Sequence, residues 1–287
     1  VAILPPEKED DCTQVRVRVK YKDLIMHPTA QRALRPHWVR DLKKKFRLSV
    51  PVVAAVRYPR NGITQTLVVD GQHCSTAAKE LGFGEEFVTM IIHTDVQSDK
   101  EAHDRFLDLN KRKGVSAIDT YRNEVGAEHP NIVEIEEVLA NHGLHVGQGM
   151  TDGILRCPAV LVSVHRRIGQ SDMNMLFHII GGAWGYVTAS LEGLIVEGLG
   201  QVILSCPGLN PKRMAERLKR VAPPTIIGAA KAQAMVKCRL AVAVAQVIIQ
   251  QYNVGLKNDD NRLVFRVVSR GQEGAQRKRE ATGKAVM

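Results

Sequence analysis

The chain has 287 residues, 44% hydrophobic and 24% charged, a balance that excludes a disordered polypeptide and suits one large domain or two modest ones. A formal net charge of +10 favours a polyanionic partner, nucleic acid above all. Five cysteines, at 12, 74, 157, 206 and 238, stand far apart with no CxxC pair, which argues against a zinc site and leads us to expect a reducing cytoplasm. The most apolar region, Leu176 to Leu209, is broken by Glu192, Glu197 and several glycines. The run from Leu240 to Ile249 is too short to span a bilayer, so no membrane segment is expected.

In chain order, residues 1–14 read as a polar arm. Val15 to Tyr21 alternates apolar and basic, the pattern of a strand with one wet face. Leu34 to Phe46 reads as a helix with Pro36 in its first turn and Val39, Leu42 and Phe46 on one side. Val50–Tyr58 and Thr64–Val69 read as strands joined through the Arg60-Asn61-Gly62 turn signal. The stretch Asp70-Gly71-Gln72-His73-Cys74 then leads into a helix ending at Gly82, and Phe87–His93 is another strand. Ser98 with Glu101 is a capping box, and Ser116 with Asp119 is its shorter-acid version, so each should open a helix. Beyond these, strand-like alternation fades. Helical segments are expected at Ile132–Ala140, Ala159–Ile168, Ser171–Trp184, Val187–Leu204, Pro211–Val221 and Ala229–Gln251, before a basic, mobile tail at 257–287. The fold class is α+β: a small mixed-sheet domain over 15–125, followed by an all-helical domain over 126–256.

Three clusters carry candidate chemistry. The first is the turn Asp70-Gly71-Gln72-His73. A helix beginning there points free N–H groups and the positive end of its dipole outward, a ready site for phosphate or carboxylate. Gly71 allows a positive φ or close backbone approach. Gln72 and His73 can donate to an anion, while Asp70 suits a helix cap, a metal or a ribose hydroxyl. The plainer reading is a capped turn with a locally bonded histidine. The second cluster is Phe106 to Lys113, where Asn110, Lys111, Arg112 and Lys113 close a helix. Cations suit a helix C-terminus on their own account; alternatively they form a phosphate-binding wall. The third is Gln31-Arg32 with Arg35, His37 and Arg40, either a basic surface or a phosphate lid. Trp38, Trp184 and Tyr252 read as core or hinge residues, and 5% aromatic content argues against an extended base-stacking surface.

Taken in order, Gln31-Arg32, then Val69-Asp70-Gly71-Gln72-His73 before Ala77-Ala78 and Leu81-Gly82, then Phe106-x-x-Leu109-Asn110 resemble the ParB/sulfiredoxin-like superfamily. The resemblance is strongest to the DGQHR-type ParB-like domains of phage and mobile-element proteins, and it is most specific over residues 15–125. It implies a small mixed sheet flanked by helices. It also implies a nucleotide or phosphate site formed by Gln31, Arg32, Gly71, Gln72, His73, Asn110, Arg112 and Lys113. CTP or ATP, with Mg2+, is the implied cofactor, DNA the implied partner, self-association a further implication, and a bacterial host cytoplasm the implied location. Cys74 departs from the pattern, which has arginine there. A thiol offers neither the permanent charge nor the bidentate grip of a guanidinium.

Two functional expectations follow, with a third beside them. One is a DNA-associated ParB-like protein that binds nucleotide or nucleic-acid phosphate at the turn. Another is a metal-dependent ParB-like nuclease or nucleotide hydrolase with Asp70 and His73 as catalytic residues. The third is a non-catalytic scaffold or inhibitor that keeps the fold.

Overall fold

The computed structural model describes residues 13–48, 52–111, 115–234, 239–256 and 262–265. The chain divides into two compact units, Val1–His129 and Pro130–Met287. Most of the expected arm and tail lie outside the described residues, as do Arg112 and Lys113.

The first unit is α+β. Its described elements are β1 (Gln14–Lys20), a 3-10 turn at Tyr21–Asp23, α1 (Pro36–Lys45), β2 (Val52–Arg60), β3 (Ile63–Asp70), α2 (Gln72–Glu80), β4 (Phe87–His93), α3 (Asp99–Asn110) and α4 (Ala117–Gly126). The four strands form one mixed sheet in the order β1-β4-β2-β3. β1 pairs antiparallel with β4, β4 parallel with β2, and β2 antiparallel with β3. β3 returns the chain to the end of the sheet where β2 begins, and α2 joins it there to the start of β4, on the other side of β2.

Alternation in the strands divides their side chains between the two faces. Val53, Ala55, Val68, Val88, Met90 and Ile92 point to one face, where Ala78 of α2 and Tyr21 complete a core. Val56, Tyr58, Leu67 and Val69 point to the other, under Ala102 and Phe106 of α3. The hairpin between β2 and β3 turns through Asn61 and Gly62, both at positive φ, as an Asn-Gly pair favours. Near the far end of that hairpin the β2–β3 register slips between Ala54 and Ala55, opposite Asp70. This irregularity lies where the chain leaves the sheet for α2. Ser98 and Ser116 cap α3 and α4 by accepting from the backbone N–H groups of Glu101 and Asp119, at 3.2 and 3.1 Å.

The second unit contains α5 (Pro130–Asn141), β5 (His145–Val146), β6 (Ile154–Leu155), α6 (Pro158–Trp184), α7 (Gly193–Ser205), α8 (Pro211–Leu218), α9 (Pro223–Ala234) and α10 (Leu240–Asn253). It departs from the expected all-helical domain by the two-residue parallel pair β5–β6, which is too short for alternation to register in a sequence. The two helices expected on either side of Gly169 are the two halves of α6, which breaks where that glycine takes the non-helical φ +79°. The long helix expected over 229–251 is two. α9 begins earlier, at Pro223-Pro224, which fit a helix's first turn. Residues 187–191, read as helix, form a loop in which the Ser190 hydroxyl donates to the Gly185 and Val187 carbonyls.

The glycines of α7 pack within the chain. A Cβ on Gly200 would stand 2.9 Å from Val164 Cγ1 of α6, and one on Gly198 would overlap Val244 of α10, whose Cβ is 3.0 Å away. Helix axes therefore approach closely on both sides of α7. Gly198→Ala is expected to destabilise the second unit by about 1–3 kcal/mol through overpacking, despite the better helix propensity of alanine. Chemical denaturation measures this, and Val244→Ala in the same chain should recover part of the loss.

Candidate functional site

The turn at 70–73 forms as its residues dictate. β3 ends at Asp70, and Gly71 takes φ +109° as the N-cap of α2. Glycine is required there twice over. The conformation is one that side chains avoid, and a Cβ would sit 3.3 Å from both methyl groups of Val53 on β2 beneath it. The first bond inside the helix runs from Ser75 N–H to the Gly71 carbonyl at 2.9 Å. The N–H groups of Gln72 and His73 ahead of it belong to the first turn, where a helix supplies no acceptor of its own.

These residues line a cavity of about 160 Å3, with Gly71, Gln72, His73 and Cys74 on one side and Gln31, Arg32 and Trp38 on the other. Asp70 is the one carboxylate among its lining residues. Clusters separated by some forty residues in the sequence thus meet at one place. Within it, Gln72 Oε1 and Arg32 Nε are buried with no hydrogen-bond partner among the described residues. Each is costly to leave unmade inside a protein.

The wall opposite the turn is the segment between the 3-10 turn and α1, and its positioning explains the site. Its start is laced to β3: His27 N–H donates to the Val68 carbonyl at 2.9 Å and Val68 N–H to the Ile25 carbonyl at 2.8 Å. The Gln31 side-chain amide donates to the same Val68 carbonyl. Arg32 is gripped from behind, its Nη2 donating to Asn110 Oδ1. Asn110 in turn donates from Nδ2 to the Phe106 carbonyl at 2.8 Å. Asn110 does not line the cavity; it is buried and orients the arginine that does.

Farther along, Asp119 of α4 is 1% exposed and collects three donors: Ala33 N–H at 3.2 Å, Arg35 Nη2 at 3.3 Å and the Ser116 hydroxyl at 2.7 Å. The sequence placed Asp119 in a capping box. The structure uses its carboxylate mainly to hold the 33–35 segment. Arg35 N–H then donates to His73 Nε2 at 3.0 Å, which puts the histidine's proton on Nδ1. Burial, then the nearby Arg32 and Arg35 charges, push the His73 pKa below its usual range, against the opposing pull of Asp119 and Asp70. The ring is therefore neutral at physiological pH. It packs 5.3 Å from Trp38, over which the Arg35 guanidinium lies at 4.6 Å. Trp38, read from the sequence as a core or hinge residue, is a half-buried wall of the cavity.

Sequence reasoning missed the network that anchors this wall. Buried His27 accepts Thr29 and Ala30 N–H groups on Nδ1, at 3.2 and 2.9 Å, so Nε2 carries the proton and donates to the Tyr58 oxygen at 2.8 Å. Tyr58 donates to Asp99, which also accepts from Arg60 Nε at 3.1 Å. A second buried histidine, His103, donates from Nδ1 to Asn123 Oδ1 at 2.8 Å and accepts from the Thr29 hydroxyl at 3.1 Å. No spacing rule joins these residues in sequence, because the partners come from β2, α3 and α4.

Two larger cavities, each about 690 Å3, have less suitable chemistry for phosphate. One is rimmed by Asp104, Asp108 and Glu124 of α3 and α4, which repel an anion. The other, in the second unit, includes Arg213, whose Nη2 donates to the Tyr252 and Val254 carbonyls at the end of α10. Among the described residues, no group of three His, Cys, Asp or Glu side chains could hold a metal ion, and no helix is long and apolar enough to cross a membrane. Comparison of the chain with protein-family models, with curated proteins and with solved structures returned no match.

The His27 network makes a pH-dependence prediction. Burial, opposed by Asp99 and aided by His103 and Arg60, brings the His27 pKa down to about 4. An unfolded histidine titrates near ~6.5. Between these values the unfolded chain binds a proton that the folded chain refuses, so stability is full above ~6.5 and falls as the pH drops toward 4. The loss should approach ~3 kcal/mol. Urea denaturation across this range checks it. His27→Gln should flatten the slope, leaving a remainder from His73 and His93, whose pKa values burial also lowers.

Proposed function

We propose that the Asp70–His73 turn is a phosphate-binding site and that the chain is a DNA-associated protein of ParB/sulfiredoxin-like type, of phage or mobile-element origin. The observation that carries the reading is Arg32. Its guanidinium is fixed by Asn110 against the cavity at the start of α2, and its Nε is buried without a partner. A fixed cation, the positive end of a helix dipole and an unused donor together select an anion. The ParB-like arrangement of the mixed sheet belongs to the same proposal, supported by three motif pieces that converge in space as well as in order.

The residues fit a phosphate group better than a whole nucleotide enclosed in a pocket. A cavity of about 160 Å3 is smaller than the roughly 300–1,000 Å3 of sites that engulf a drug-sized ligand. A CTP or ATP would place its phosphates at the turn and extend base and sugar along the open surface. Asp70 suits a Mg2+ held chiefly by bound phosphates rather than by protein alone. Such an ion would supply charge neutralisation there.

Binding suits the turn better than catalysis does. His73 Nε2 is occupied by the Arg35 N–H and the ring is neutral, so its remaining polar function is an Nδ1 donor. The nuclease or hydrolase reading rests on Asp70 alone. Plasmid cleavage in Mg2+ or Mn2+ that disappears in Asp70→Ala would favour that reading over this one.

Titration calorimetry with CTP, ATP, GTP and inorganic triphosphate tests the proposal. Arg32→Ala should weaken binding by about 1.5–3 kcal/mol, roughly 10- to 160-fold. Cys74→Arg, which restores a guanidinium at the first turn of α2, should tighten it by a comparable factor. No heat with any of the four ligands, in both the native chain and Cys74→Arg, would contradict the proposal.

A further inference from the structure

The sheet of the first unit is covered unevenly. One face is packed throughout against α2 and the Tyr21 region. On the other, α3 covers the β2–β3 side through Ala102 and Phe106. The β1–β4 side of that face carries exposed side chains. β1 places Arg16, Arg18 and Lys20 there, at alternate positions, while Val15, Val17 and Val19 turn to the core. Directly across on β4 are Ile91, Thr89 and Phe87. Phe87 is 45% exposed and Val52, beside Thr89 on β2, is 54% exposed.

Cations on an edge strand have an ordinary explanation, since they discourage edge-to-edge pairing. That explains neither the half-exposed phenylalanine nor the charge balance. Lys20 and Lys22 share one carboxylate, Glu85, at 2.9 and 2.7 Å. Arg16 and Arg18 have no acidic partner among the described residues. Arg18 and Lys20 stand over the Phe87 ring, 5.4 and 5.8 Å from its centre. The result is a strip of cations around one half-exposed aromatic ring, on a chain with a net charge of +10.

We infer that this open half-sheet binds single-stranded nucleic acid, with phosphates along Arg16, Arg18 and Lys20 and one base against Phe87. Alternate residues on a strand lie about 6.8 Å apart. That pitch is on the scale of the step between phosphates in an extended single strand. An exposed ring among cations is the combination that holds single strands with little sequence preference, by stacking and charge together. A duplex hides its base faces and leaves Phe87 without a role. The surface uses none of the turn residues, so the inference stands independently of the phosphate reading.

The test is fluorescence anisotropy of the full chain with a short labelled oligothymidine and oligouridine, a duplex of equal length, and anionic phosphatidylserine vesicles. Single strands should bind best, with a log–log salt slope of about 2, from three phosphate contacts at about 0.7 each. Arg16→Gln with Arg18→Gln should lower affinity at least tenfold and cut the slope to about 0.7. Phe87→Ala should lower affinity about tenfold with the slope unchanged, since a stacked base contributes ~1–3 kcal/mol, and Phe87→Tyr should restore it. Arg32→Ala should leave this binding intact, which separates it from nucleotide binding at the turn. All of these side chains are on the surface, and circular dichroism confirms that the variants fold. Absent single-strand binding at low salt, duplex or vesicle binding that equals or exceeds it, or indifference to the arginine and Phe87 substitutions would each overturn the inference.

Discussion

The buried carboxylate of Asp119 is the constraint from which the site follows. It draws the Ala33 N–H, the Arg35 guanidinium and the Ser116 hydroxyl to one point inside the first unit. Because the 33–35 backbone is held there, the Arg35 N–H faces His73 and closes the wall over the turn. Breaking a buried charge pair of this kind by removing one partner is far more damaging than losing an exposed one. The carboxylate thus links the start of α4 to the start of α2 through a segment that has almost no regular structure of its own.

The same economy holds on the other side of Arg32. Asn110 at the end of α3 grips the guanidinium, and Gln31 and His27 tie the preceding residues to β3 and β2. A loop with few backbone partners is therefore fixed by side chains at both ends. Two buried atoms at the cavity have no partner among the described residues, the donor Arg32 Nε and the acceptor Gln72 Oε1. Preorganised donors cost little to reorient when an anion arrives, and this is the physical advantage of such a wall.

Much of the first unit was legible in its sequence because its signals are local. Alternation in Val15–Tyr21, the Asn61-Gly62 turn and the serine caps at 98 and 116 each act over a few residues, and the structure has strands, hairpin and helices there. Gly71 was legible for the same reason. The roles of Asn110 and Asp119 were not, because both depend on partners more than seventy residues away. Their side chains read as a phosphate contact and a cap, while their geometry makes them supports for Arg32 and Arg35. In the second unit the start of α9 was missed: proline breaks a helix inside it but starts one at its edge, as Pro223-Pro224 do here. Trp38 carried no signal of its site role, since its ring faces His73 only after α1 and α2 have packed together.

The account's central claim is that an anion docks on the first turn of α2 beneath Arg32. Backbone amide chemical shifts of the isotope-labelled full chain, followed during titration with inorganic triphosphate, test this most directly. The account predicts saturable shifts centred on the amides of Gly71, Gln72, His73 and Cys74 and on the Arg32 Nε–H, all absent in Arg32→Ala. Shifts confined to other basic surfaces, or none at the turn while the Arg32 side-chain signal stays unchanged, would contradict it.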